Sequence, residues 1–122
     1  MDKRHELGRR GEDLAADFLL RKNYKLIGRN VANRLGELDL VFIDGKVVVI
    51  VEVKTRASSK RAPSEAVGYH KQLKLTRAAT LFLQENNWLD RSARFDVVEI
   101  IQAPGGAPVI RHIEDAFEPI GY

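Results

Sequence analysis

The chain has 122 residues, 44% of them hydrophobic and 30% charged, and its formal net charge is +3. This length favours a single domain over residues 1–122 with its core at about 7–119, and the lack of cysteine excludes disulfides and thiolate metal sites. No signal-peptide core or membrane-length apolar run occurs, so we expect a cytoplasmic protein that does not bind membranes.

The first half of the chain predicts one helix and three strands. Apolar residues at helical spacing extend from about Glu6 to Lys22. The segment "YKLIGRNV" predicts a strand over Tyr24–Val31, and "GELDLVFI" and "KVVVIVEVK" predict two more. Asp44 and Gly45 lie between the last two strands and are typical of a type I′ hairpin turn.

The second half predicts a helix followed by two strands. A polar loop, "ASSKRAPSE", leads to a helix that Ser64 or Gly68 would cap and that extends to about Asn86. The segments "ARFDVVEII" and "VIRHIE" predict the last strands, with "APGGAP" as the turn between them. The order α-β-β-β-α-β-β fits an α+β or α/β fold with a mixed sheet.

The predicted hairpin turn also predicts a register. With Asp44–Gly45 as a two-residue loop, Asp39 is expected opposite Ile50, and Glu37 opposite Glu52. Because side chains alternate along a strand, one face then carries Glu37, Asp39, Ile50, Glu52 and Lys54. The other face carries the apolar set Leu38, Leu40, Val49, Val51 and Val53.

Up to three carboxylates and one lysine therefore lie together at the end of an apolar hairpin. Like charges so placed repel one another and raise each other's pKa. A divalent cation would compensate them, and oxygen ligands suit Mg²⁺ or Mn²⁺ held by Asp39 and Glu52. Lys54 would then stabilise charge in phosphodiester hydrolysis. The alternative is a surface ion-pair network with little energetic effect.

Asp39 followed by "EVK" at 52–54 resembles the motif of the PD-(D/E)xK nuclease superfamily. The ordered segments "GRRGEDLAADFL", "GELDLV", "VEVKTR", "HKQLKLTRAATLFL" and "RFDVV" resemble the YraN family, a widespread bacterial family related to archaeal Holliday-junction resolvases. The resemblance extends from about Leu7 to Pro119. It implies a restriction-endonuclease-like α/β fold in which helices flank a central mixed sheet.

The resemblance also implies roles for individual residues. Asp39 and Glu52 correspond to the metal-binding acids, and Lys54 corresponds to the motif lysine. Glu12 matches a helix glutamate that supports the catalytic site, and polar residues of the second helix, Lys71 or Gln72, match positions that line the same cleft. Two positions depart from the pattern, because Leu38 replaces the motif proline and Gly68 replaces a helix-capping threonine.

Basic residues concentrate in the middle of the chain. Residues 54–77 contain one acidic side chain, Glu65, and seven basic ones, namely Lys54, Arg56, Lys60, Arg61, Lys71, Lys74 and Arg77. Such a segment is typical of a face that binds polyanions, and the alternative is a solvated loop and helix flank. The predicted nucleic-acid-binding residues are Arg56, Lys60, Arg61, Lys71, Gln72 and Lys74.

These features together predict a metal-dependent endonuclease, or a nuclease-like protein, that acts on structured or damaged DNA in repair or recombination. The sequence leaves DNA versus RNA open. Two alternatives are a nucleic-acid-binding module without catalysis and an interaction adaptor in DNA processing. Because junction-cutting relatives act as dimers, the resemblance is compatible with a homodimer, although the sequence shows no interface.

Overall fold

A computed structural model describes residues 3–57, 67–102 and 104–119 of the chain. Two helices and five strands form in these residues: α1 (Lys3–Arg21), β1 (Lys25–Asn33), β2 (Gly36–Asp44), β3 (Val47–Arg56), α2 (Tyr69–Glu85), β4 (Ala93–Ile101) and β5 (Val109–Phe117). The predicted α/β order is confirmed. No helix in the described ranges is long and apolar enough to cross a bilayer.

The five strands form one mixed sheet in the order β1-β2-β3-β4-β5. Strands β3 and β4 are parallel, and every other neighbouring pair is antiparallel. A parallel pair requires a crossover connection, and α2 lies in that connection. The carboxyl ends of β3 and β4 therefore meet at the same edge of the sheet, which is where open α/β sheets commonly bind ligands.

Each face of the sheet packs against one helix. Along β3, Val48 and Ile50 belong to the core beneath α2, whereas Val49 and Val51 belong to the core beneath α1. Because successive side chains point to opposite faces, a strand buried on both sides must be apolar at every position. This explains the unbroken run of Val and Ile before Glu52.

The ends of several elements differ from the predicted ones by a few residues. Helix α1 begins at Lys3 rather than near Glu6, and β5 continues to Phe117 rather than ending at residue 114. The ring of Phe117 stacks on that of Phe95 with centroids 4.8 Å apart, which extends the pairing of β5 with β4. Phe95 is buried, and Trp88 is half-buried at the edge of the same core.

The predicted register of the β2–β3 hairpin is wrong by two residues. The loop is Gly45–Lys46, so Asp44 pairs with Val47 and Leu40 pairs with Val51. Within this turn only Gly45 has a positive φ, of 61°. A glycine at the first central position is what a type II′ turn requires, whereas the predicted type I′ turn needs two positive φ angles. A two-residue shift leaves each side chain of β3 on its predicted face.

Strand β2 is distorted at Asp39. Leu38 packs in the core beneath α2 and Leu40 in the core beneath α1, although residues two apart normally share a face. The prediction that both leucines point the same way is therefore wrong. On the neighbouring strand β1, Asn30 has a φ of 48° between the pairs Arg29–Leu40 and Val31–Leu38. The backbone is therefore irregular at this point of both strands.

Candidate active site

Glu52 is a buried carboxylate between two lysines. Its side chain is only 5% exposed, and its Oε1 lies 3.3 Å from Lys71 Nζ and 3.9 Å from Lys54 Nζ. Among the described residues, no group forms a hydrogen bond with its buried Oε2. Strand β3 supplies Glu52 and Lys54 from alternate positions, and the first turn of α2 supplies Lys71. One buried carboxylate oxygen of Glu52 thus lacks a hydrogen-bond partner among the described residues.

Asp39 adds a second negative charge beside Glu52. Its Oδ2 accepts a hydrogen bond of 2.9 Å from the backbone N–H of Val53 on the neighbouring strand. Burial and the charge of Asp39 raise the pKa of Glu52 to about 7, although Lys71 and Lys54 act in the opposite direction. Without a bound cation, Glu52 therefore exchanges a proton close to neutral pH.

Glu12 approaches the same group from the other helix. Burial and the charge of Asp39 raise the pKa of Glu12, while a hydrogen bond from Asn30 lowers it. Helix α1 comes close to β3 at the preceding residue, because a Cβ on Gly11 would collide with Oγ1 of Thr55. The charge of Asp39 thus raises the pKa of both Glu12 and Glu52, and the catalytic role of each residue stays a prediction.

The first turn of α2 carries Lys71, which lies at the site, and Gln72, which has a structural role instead. Gly68 is the N-cap, as predicted, and it forms no side-chain cap. Nε2 of Gln72 donates a hydrogen bond of 2.8 Å to the carbonyl of Val67, which fixes the chain before the helix. Lys74 is exposed one turn farther along. Lys60, Arg61 and Ser64 lie outside the described residues.

Comparison with known proteins supports a family assignment. The model of a family described as "Uncharacterised protein family UPF0102" matches residues 11–100. This chain belongs to the UPF0102 family. A UPF0102 protein of Geobacter sulfurreducens is 48% identical over 113 residues, covering 92% of this chain and 88% of that protein. One from Symbiobacterium thermophilum is 45% identical over 112 residues, covering 91% and 95%. The YraN-like resemblance is confirmed, and these names state no activity.

The acids of this UPF0102 chain fit a cation that takes few protein ligands. In the described ranges, no group of three or more His, Cys, Asp or Glu residues could hold a metal ion. An ion here would therefore bind Asp39 and the Oε2 of Glu52, which has no hydrogen-bond partner among the described residues. Its other coordination positions would hold water or phosphate. Mg²⁺ is commonly bound in this way, through one or two carboxylates. The donor set thus fits Mg²⁺ or Mn²⁺.

The structure contains a buried ion pair beside Lys54 that the sequence did not lead us to predict. Glu99 of β4 is fully buried, and both of its carboxylate oxygens lie 3.0 Å from Nη2 of Arg56. Glu99 is the β4 partner of Lys54 in the parallel pair. Arg56, a predicted nucleic-acid contact, is thus bound by a buried acid at the end of β3. The signal was a single charge inside the apolar segment "VVEII", because buried charges need partners.

A second buried cluster lies on the α1 face of this UPF0102 fold. Asp96 accepts hydrogen bonds from Nε of Arg94 at 3.0 Å and from the backbone N–H of Asp115 at 3.0 Å, and its Oδ2 lies 2.7 Å from Nε2 of His112. Burial alone would raise the pKa of Asp96, but the hydrogen bonds from His112, Arg94 and Asp115 lower it. These bonds join β5 to β4, which indicates a structural role.

The raised pKa of Glu52 predicts a pH-dependent stability. The ordinary value is 4.5 and the folded value about 7, so the folded chain binds the proton more tightly. The stabilisation of the fold by this bound proton is complete below about pH 4.5 and is lost as the pH rises through 7. In EDTA, the free energy of unfolding of the wild type should decrease between pH 5 and pH 8. We expect this decrease to be about 2 kcal/mol smaller in Glu52→Gln.

Thermal melts at four pH values in this range measure the effect, with Glu37→Gln as the matched control because Glu37 is exposed. At pH 8 we expect Glu52→Gln to melt no lower than wild type. Mg²⁺ should raise the Tm of the wild type more than that of the variant. A variant that melts well below wild type at pH 8 would instead indicate a stabilising ion-pair network.

Proposed function

We propose that this protein is a divalent-metal-dependent nuclease that acts on structured or damaged DNA. The observation that supports this best is the buried Glu52, which feels the charge of Asp39, has one oxygen without a hydrogen-bond partner among the described residues and faces two lysines with its other oxygen. An acid in such an environment is expensive to bury, and strongly shifted carboxylates cluster at functional sites. A phosphodiester with its cation would use all of these groups.

The side chains divide into those that hold the cation and those that meet the substrate. When bound, Mg²⁺ or Mn²⁺ polarises a phosphodiester oxygen and lowers the pKa of a water molecule. Asp39 and Glu52 are the ligands in this proposal, and Glu12 adds negative charge that favours a cation. The Lys54 ammonium, 37% exposed, stabilises charge that develops on the phosphate in the transition state.

In this proposal, basic residues around the N-terminus of α2 bind the phosphates of the DNA. Lys71 is 47% exposed and lies near a helix N-terminus, where the dipole favours anions. It can leave Glu52 for a substrate phosphate once a cation compensates that carboxylate. Lys74 and the sequence-predicted Lys60 and Arg61 extend the basic surface, whereas the guanidinium of Arg56 is held by Glu99. Such contacts give DNA binding that weakens with salt and depends little on base sequence.

Cleavage of a substrate panel tests the proposal. Junction, flap, single-stranded and duplex DNA are incubated with Mn²⁺ and either wild type, Glu52→Gln or Glu37→Gln. We expect the wild type and Glu37→Gln to cut at least one branched substrate, and Glu52→Gln to cut none. Equal cleavage by wild type and Glu52→Gln would assign the activity to another site or to a contaminant.

A nucleic-acid-binding module without cleavage is the second candidate. It is favoured by the lack of a three-ligand metal group among the described residues. This function predicts that the protein binds branched DNA but cuts none of the panel with Mg²⁺ or Mn²⁺. A homodimer, with which the resemblance to resolvases is compatible, stays a prediction, and analytical ultracentrifugation with and without junction DNA tests it.

A further inference from the structure

A groove extends along α2 beyond the candidate active site. Its open part has a volume of about 450 Å³, and it adjoins a more enclosed cavity of about 140 Å³ that shares Thr76, Thr80 and Leu89 with it. We name this surface the α2 groove. The residues that line the groove do not include Asp39, Glu52, Lys54 or Lys71, so it is distinct from the site described above.

Two exposed leucines from different loops flank the α2 groove. Leu35, in the turn between β1 and β2, is 41% exposed, and Leu89, after α2, is 49% exposed. Turns normally carry polar residues or glycine at such positions. Single exposed leucines are common, but two that converge on one concave surface are typical of a binding site.

The charge of the α2 groove has one sign. The described residues that line its two parts include no acid, and two arginines, Arg34 and Arg77, line the open part. Arg91 and Arg94 border the enclosed part, but Arg91 stacks on Trp88, and the guanidinium of Arg94 is paired with Asp44 and Asp96 in the cluster on the α1 face. Within the described ranges, no carboxylate pairs with Arg34 or Arg77. An anionic partner would therefore complement this surface.

We propose that the α2 groove binds a short acidic peptide segment of a partner protein. One apolar side chain of the peptide enters the enclosed cavity, whose walls include Ile50, Ala79, Leu83 and Phe95. Its carboxylates pair with Arg34 and Arg77 at the open part. A cavity of about 140 Å³ accommodates a single large apolar side chain, which favours a peptide over a nucleotide with its sugar. The proposal is independent of DNA cleavage.

Selection from a phage library of random nonapeptides tests the proposal on the full chain. We expect enriched peptides to combine two or more acidic residues with one Leu, Ile or Phe. Fluorescence polarisation with the best labelled peptide then measures Kd for wild type, Leu89→Asp and Arg77→Glu. Each substitution should raise Kd roughly tenfold or more, and added salt should weaken the wild-type interaction.

Leu20→Asp is the matched control, because Leu20 is 47% exposed and lies on α1 against the other face of the sheet. It should leave Kd unchanged, and thermal melts verify that all three variants are folded. Enriched peptides without acids, or no enrichment at all, would overturn the proposal. So would peptide binding that Leu20→Asp weakens as much as Leu89→Asp does. Single-stranded DNA that binds the groove more tightly than any peptide would assign the surface to nucleic acid instead.

Discussion

Replacing Lys54 by alanine is expected to lower the rate of DNA cleavage at saturating substrate by roughly two to three orders of magnitude. The Lys54 ammonium lies 3.9 Å from the Glu52 carboxylate and is partly exposed, so it can contact both the acidic group and a bound phosphate. A charge that acts mainly in the transition state changes turnover more than binding. The affinity for DNA should therefore change little.

Single-turnover cleavage of the best substrate from the panel measures the rate, and fluorescence anisotropy in Ca²⁺ measures the affinity. Lys46→Ala serves as the control, because Lys46 is exposed in the turn at the opposite end of β3. Both rate and affinity should be nearly unchanged in this variant. If Lys54→Ala cuts as fast as wild type, the proposed role of Lys54 is wrong even if the protein is a nuclease.

Replacing Glu99 by leucine is expected to lower the free energy of unfolding by about 3 kcal/mol. In a chain of this size, that corresponds to a decrease in Tm on the order of 10 °C. Glu99 is fully buried, and Arg56 lies mostly inside the protein with its guanidinium against this carboxylate. Removing the acid leaves a positive charge in a low-dielectric environment without its Glu99 partner, which is the costly part of the change.

A double variant separates this ion pair from simple packing. In Glu99→Leu/Arg56→Met both charges are absent, and the Tm should recover much of the loss, since buried pairs are often replaced by apolar residues at little cost. Glu85→Leu, at the exposed end of α2, controls for the loss of an acid and should shift the Tm only slightly. If the single and double variants melt at the same temperature, the loss of stability does not come from an uncompensated Arg56 charge.

Lys71 connects the stability of the site with its proposed chemistry. In the structure its ammonium is closer to Glu52 than that of Lys54 is. The same lysine therefore compensates the acid in the metal-free protein and, in the proposed complex, binds phosphate. The family resemblance placed Lys71 or Gln72 at the same cleft, but the pairing of Lys71 with Glu52 depends on how far the first turn of α2 extends over β3.

Local patterns in the sequence predicted the elements of the fold and one part of the site. The apolar run before Glu52 predicted a strand, and the spacing of Glu52 and Lys54 put them on the same side, because a strand repeats every two residues. The helical spacing of apolar residues predicted α1 in the same way. These inferences held because they depend on backbone geometry within a single element.

The arrangement between elements depended on tertiary contacts that no local pattern encodes. The hairpin register followed from the turn conformation at Gly45, and Asp39 lies at a distortion of β2 opposite Asn30. The position of Glu12 required α1 to pack closely on β3 at Gly11. A period of two or 3.6 residues fixes the face on which a side chain lies. The distance between side chains on different elements is set by packing across the whole core, to which residues far apart in the chain contribute together.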